Sequence, residues 1–132
     1  MSERKIMKEL DVNLKLALSQ EDIDDIMCGA LEGGISYWCG RVKVEDRYLG
    51  KYAHEQISRG GKLLLWDFED DLELCLDLDK LLNGIKMWAE DPVGCNCLEQ
   101  VNNRLRIDCC NADEVVCDAI IQYALFGEIR YS

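Results

Sequence analysis

The chain has 132 residues, of which 48% are apolar and one is proline, and its formal net charge is −11. That composition suits one domain around a single core and excludes a disordered or low-complexity chain. The charge excludes general binding to a nucleic-acid backbone, which needs surplus cations to displace counterions. No stretch approaches the roughly 20 apolar residues that cross a bilayer. The charged opening MSERKIMKEL lacks the apolar segment of a signal peptide. The expected setting is therefore a cytoplasm, with no membrane contact.

In chain order, NLKLAL (residues 13–18) alternates Leu14, Leu16 and Leu18 with Asn13, Lys15 and Ala17, the period of a half-buried strand. Ser19 then offers an N-cap, with Asp22 three residues on in the manner of a capping box. Ile23, Ile26, Met27, Ala30, Leu31, Ile35 and Trp38 recur at helical spacing. Gly33 and Gly34 interrupt that helix, each costing about 1 kcal/mol relative to alanine. Such a pair signals a close backbone approach, to another helix or across a subunit interface, or else a kink. Tyr37 and Trp38 follow, readable either as core or as rings on which a base stacks.

Residues 48–61, YLGKYAHEQISRGG, predict a second, shorter helix with Tyr52, Ala53 and Ile57 inward and Gly60 or Gly61 as its left-handed cap. KLLLWDF and LELCLDL predict strands of a hairpin around Glu69, Asp70 and Asp71. A helix follows from Asp77 or Asp79, with Leu78, Leu81, Leu82, Ile85 and Trp88 inward and Pro92 beyond its end. Residues 93–110 read as a loop with a short strand over Arg104–Ile107. Asn111 and Glu114 resemble a cap ahead of a last helix striped by Val116, Ala119, Ile120, Tyr123 and Ala124, which Gly127 ends. EIRYS reads as a closing strand. The order predicts an α+β domain, a mainly antiparallel sheet of about four strands with helices packed on it.

Eight cysteines in a chain without a secretion signal are expected as thiols. Cys28, Cys39, Cys75 and Cys117 fall in or beside apolar segments, as small hydrophobes do. Cys95 with Cys97 and Cys109 with Cys110 are the pairs a zinc site could use, but there is no C-x-x-C and the single histidine, His54, is remote in sequence. No metal or cofactor is expected. Phosphate-loop, dinucleotide and zinc-protease motifs are absent from the sequence, and His54 with Glu55 reads better as surface than as an acid–base pair. Catalysis is not expected.

The charge is uneven. Residues 41–62 carry six basic side chains against three acidic ones, a local +3 in a chain whose remainder carries −14. Within that segment lies ISRGGK. Its bland reading is a helix end, with glycines as cap and Arg59 favouring the helix dipole. Its functional reading is an anion site, with the Gly60 and Gly61 amides as a nest, Arg59 as a planar fork and Lys62 as a point charge. Arg104, Arg106 and Asp113, ahead of the last helix, form a second candidate, the arginines for phosphate and the carboxylate for ribose hydroxyls. The opposite extreme is the acidic run Glu69, Asp70, Asp71, Glu73, Asp77 and Asp79. It reads as a solvated turn or as a mimic of nucleic-acid phosphates that would occupy a basic host defence protein.

The stretches ALEGGISYWCG, EQISRGGKLLLWD, LDKLLNGIKMW and AIIQYALFGEIRY resemble a group of short acidic proteins of Firmicutes phages and prophages, and within phage biology are similar to the Thoeris anti-defence sponge family. The resemblance implies a homo-oligomer without catalytic activity. It further implies capture of a cyclic nucleotide immune signal, of the cyclic ADP-ribose type or a cyclic oligonucleotide, with Arg59, Gly60 and Gly61 as one phosphate turn pooled around a symmetry axis.

Overall fold

The structure, a computed structural model, describes residues 15–94, 97–102, 104–108 and 113–132. Asn13, Leu14, Cys95, Cys109, Cys110 and Asn111, each given an expectation above, lie outside the described residues. The elements are β1 (Lys15–Ala17), α1 (Gln20–Gly29), β2 (Cys39–Val44), β3 (Leu63–Asp67), β4 (Glu73–Leu76), α2 (Leu78–Glu90), β5 (Leu98–Val101), β6 (Arg104–Ile107) and α3 (Glu114–Phe126). The class is α+β and the pairing mostly antiparallel, as expected. The strands divide into two sheets of three, β1-β6-β5 and β2-β3-β4, where the sequence suggested one sheet of about four. β1 runs parallel to β6, and the remaining pairs are antiparallel. No helix among the described residues is long and apolar enough to cross a membrane.

The helix starts are the most local features. Ser19 Oγ accepts the Asp22 amide at 3.0 Å and Asp22 Oδ2 accepts the Ser19 amide at 2.9 Å, a reciprocal capping box for α1. Asp77 caps α2 through the Lys80 amide and Asp113 caps α3 through the Val116 amide. Gly127 closes α3 in the left-handed conformation, at φ 72°.

α3 forms the hub. Val116 to Gln122 are all buried, a continuous run rather than the single stripe the spacing suggested. The other helices reach it through glycines. A Cβ on Gly84 of α2 would lie 2.6 Å from the Ile120 carbonyl and 2.7 Å from Ala124 Cβ, and one on Gly34 would lie 2.9 Å from the Glu114 carbonyl. The expected helix through Trp38 ends early: past Gly29 the chain widens into a π-helical turn, Ala30–Gly34, that lays the glycine pair against the start of α3. The close approach anticipated for Gly33 and Gly34 is thus made to another helix of the same chain.

Four further expectations are corrected. Residues 48–61 form only a 3-10 turn at Ala53–Glu55. A helix this short does not repay its nucleation, and side chains hold the loop instead. Glu55 Oε1 accepts the Lys51 and Tyr52 amides, while buried Gln56 binds the Leu49 amide and the Arg47 carbonyl. β5 falls within residues 93–110, expected as a loop with one short strand, and β2 arises at Cys39–Val44, to which the sequence pattern assigned no element. EIRYS is no strand. It lies along α3, and the Gln122 side chain does what a neighbouring strand would do: Oε1 accepts the Arg130 and Tyr131 amides at 2.7 Å each, and Nε2 donates to the Tyr131 carbonyl at 3.0 Å. Leu82, expected inward, is partly exposed.

Candidate functional site

The sequence offers two groups of candidate anion-binding residues, and the structure treats them differently. At the first, Gly60 adopts φ 86°, but its amide donates to the Ile57 carbonyl and that of Gly61 to the Gln56 carbonyl, both at 3.0 Å. The amides a nest would offer are therefore used to close the turn. Arg59 is likewise engaged, 3.6 Å from Asp24 and from Glu55, and bonded at 3.1 Å to the Glu55 carbonyl. It clamps the turn to α1. Gly60, Gly61 and Lys62 still line a hollow of about 350 Å3, which Arg47 enters together with Glu45 and Asp46. Those two carboxylates oppose a phosphate.

The second group is more open. Arg104 and Arg106 alternate with Leu105 and Ile107 along β6, so both guanidinium groups lie on its outer face. In register beside them on β1 stand exposed Lys15 and small Ala17, and on β5 Glu99 stands beside Arg106. Ala17, Asn102, Arg104 and Arg106 line a hollow of about 360 Å3 with no carboxylate among them. Asp22 approaches Arg106 at 3.6 Å, whereas Arg104 has no ion-pair partner among the described residues. Asp113, grouped with these arginines in the sequence, does not line that hollow. Its carboxylate is spent capping α3.

A third arrangement was not anticipated. Asp118 and Gln122, the two polar residues within the buried run of α3, are one helical turn apart and bonded at 3.0 Å. Asp118 also accepts Trp38 Nε1–H at 2.7 Å and the Tyr37 hydroxyl at 2.6 Å. Tyr131 stacks on Trp38, with centroids 5.3 Å apart, and donates its hydroxyl to buried Asp67 at 3.0 Å. Trp38 is thus core, and Tyr37 is half exposed beside it. The signal for this network was present as an aspartate and a glutamine four residues apart in an otherwise apolar helix. Its partners, 80 residues upstream, were beyond any local pattern.

The ionisation of these groups follows from their surroundings. Burial, reinforced by the hydrogen bond to Asp118 and its charge, pushes the Tyr37 phenol up to about 12. Burial, with the charge of Asp113 behind it, pushes the Cys117 thiol up to about 12 as well. Burial alone would raise the Asp67 carboxyl, but bonds from the Leu72 amide, the Tyr131 hydroxyl and the Asp70 amide together hold it below the usual carboxylate value. Both Cys117 and Tyr37 titrate higher folded than unfolded, from ordinary values of 9.0 and 10.0. Their protonated forms therefore stabilise the fold fully below pH 9, and that contribution is lost as pH climbs toward 12. The urea midpoint, followed by circular dichroism at constant ionic strength, is expected to fall steadily across that window. Tyr37→Phe, lacking one of the two groups, should show a shallower fall. A flat profile in the wild type would contradict the assignment.

Among the described residues no group of three metal-ligating side chains comes together. Cys39, Cys97 and Cys117 are buried thiols, and Cys28 and Cys75 are partly buried ones. The chain matches no protein-family model, no curated protein and no solved structure at a significant level.

Proposed function

We propose that this protein binds a small anionic nucleotide, of the cyclic immune-signal kind, and holds it without cleaving it, as the sponge proteins of phages do. One observation carries the reading. An acidic chain sets two arginines side by side on an open sheet face, over a hollow with no carboxylate among the described residues that line it. Guanidinium groups two residues apart on a strand present parallel donor forks, which suit two phosphate groups or one phosphate held twice. Ala17 keeps the floor low. A volume of about 360 Å3 falls within the range of small-molecule sites. A homo-oligomer would add a second copy of this face and wall the hollow in.

The test is to incubate the purified protein with lysate of cells whose nucleotide signalling has been triggered, wash it, denature it and analyse the released material by mass spectrometry. An intact nucleotide is expected. Arg104→Ala/Arg106→Ala should lower its affinity by about 100-fold, the scale of two lost charge-assisted hydrogen-bonding groups. Arg59→Ala separates the two sequence-derived sites. Its expected effect is on stability, and a loss of affinity with the fold intact would move the site to the ISRGGK turn.

A second reading has one observation in its favour. At the acidic hairpin, Phe68 and Leu72 are exposed at 64% and 51% beside Glu69, Asp70 and Asp71. Apolar anchors ringed by acids fit a basic protein partner. An empty supernatant in the experiment above, with salt-sensitive retention of a basic defence protein, would favour it.

A further inference from the structure

The π-helical turn, the start of α3 and the C-terminal segment enclose a cavity of about 480 Å3 that the nucleotide reading does not use. Its walls are largely apolar, from Val93, Val115, Ala119 and Ile129. The described polar residues that line it are Glu114 and Asp118, one helical turn apart on α3, with Gln122, Ser132, Tyr37 and Tyr131. Among the described residues no lysine, arginine or histidine lines it.

Two features define what such a cavity prefers. Asp118 is 8% exposed and its three donors, Tyr37, Trp38 and Gln122, are all neutral. Among the described residues it has no ion-pair partner. A carboxylate has about four acceptor positions, so one remains, and a buried negative charge without a countercharge attracts a cation strongly in a poorly screened site. Separately, Glu114 lies directly over Gly33, where any side chain would displace it. The missing Cβ thus brings a second carboxylate to the same mouth. Tyr37 and Tyr131 line the same cavity, and aromatic rings attract cations.

We infer that this cavity is a binding site for a small organic ammonium ion with an apolar body. The ammonium sits between Glu114 and Asp118, near the Tyr37 ring, and the hydrocarbon part lies against Val93, Val115 and Ile129. The site is opposite in sign to the arginine face and independent of it.

The probes are phenethylammonium and its near-isosteric anion 3-phenylpropionate, titrated calorimetrically into the whole protein. The ammonium is expected to bind saturably and the anion to show no binding. Glu114→Gln, at an exposed first-turn position, should weaken the ammonium by about tenfold, the scale of one charge-assisted contact. Val115→Trp should abolish binding by filling the mouth while leaving the far-UV dichroism unchanged. Asp118 is left intact because it holds the fold. Equal binding of the two probes, no saturation by the ammonium at tens of millimolar, or unchanged affinity in Glu114→Gln would each overturn the assignment.

Discussion

Asp118→Ala is expected to cost the fold about 3 kcal/mol, roughly 10 °C in melting temperature for a chain of this size. The carboxylate receives three donors from two separate parts of the chain. Without it the Tyr37 hydroxyl and the Gln122 amide retain the Tyr131 carbonyl. Trp38 Nε1–H, in a side chain only 2% exposed, retains no acceptor among the bonds observed. An orphaned buried donor costs about 1 to 3 kcal/mol by itself, and the tail that stacks on Trp38 loosens with it. Asp118→Asn keeps the volume but turns one acceptor into a donor facing other donors, so it is expected to lose nearly as much. The comparison is Glu69→Gln on the exposed hairpin, which should change stability by less than about 0.5 kcal/mol. Urea unfolding followed by tryptophan fluorescence and circular dichroism measures all three. A loss below 1 kcal/mol for Asp118→Ala would show that the network is dispensable.

Gly84→Ala is expected to destabilise the protein by about 2 kcal/mol, against the direction that helix propensity alone would give. In an isolated helix the exchange gains about 1 kcal/mol. Here the added methyl would meet the Ile120 carbonyl at 2.6 Å and the Ala124 amide nitrogen at 2.8 Å. These are backbone atoms of a buried helix, which cannot swing aside as the end of a flexible side chain does. Relief requires α2 to move off α3, disturbing the packing of Leu81, Ile85 and Trp88. Asn83→Ala, one position earlier on the exposed side of α2, is the control and should gain a few tenths of a kcal/mol. If both substitutions stabilise, the two helices are less closely held than the contact implies.

Both sites show where local pattern stops. Ser19, Asp77 and Gly127 mark helix ends by chemistry completed within a few residues, so those boundaries were legible. The hairpin of β3 and β4 was legible for the same reason, with apolar runs either side of an acidic turn. The candidate arginines of β6 were visible as residues, but their shared outer face depended on β1 and β5 pairing on either side of them. ISRGGK carried two readings, a helix end and an anion site. Glycines and cations adjacent in sequence look like an anion cradle, and only the positions of Asp24, Glu55 and the Gln56 carbonyl show that the turn binds itself.

By itself the sequence determined the α+β class, most helix starts, the thiol-bearing apolar segments and an uneven charge in which a few cations stand out. These depend on periodicity, capping and composition, which act over a few residues. The tertiary structure decided the division into two sheets, the continuous burial of Val116–Gln122 in α3, the use of Gln122 as a stand-in strand and the meeting of Asp118 with Trp38. It also decided which arginines remain open and which are clamped. Each of these depends on groups far apart in the chain, brought together only when the core closes. A side chain's chemistry is set by its neighbours there rather than by its neighbours in sequence.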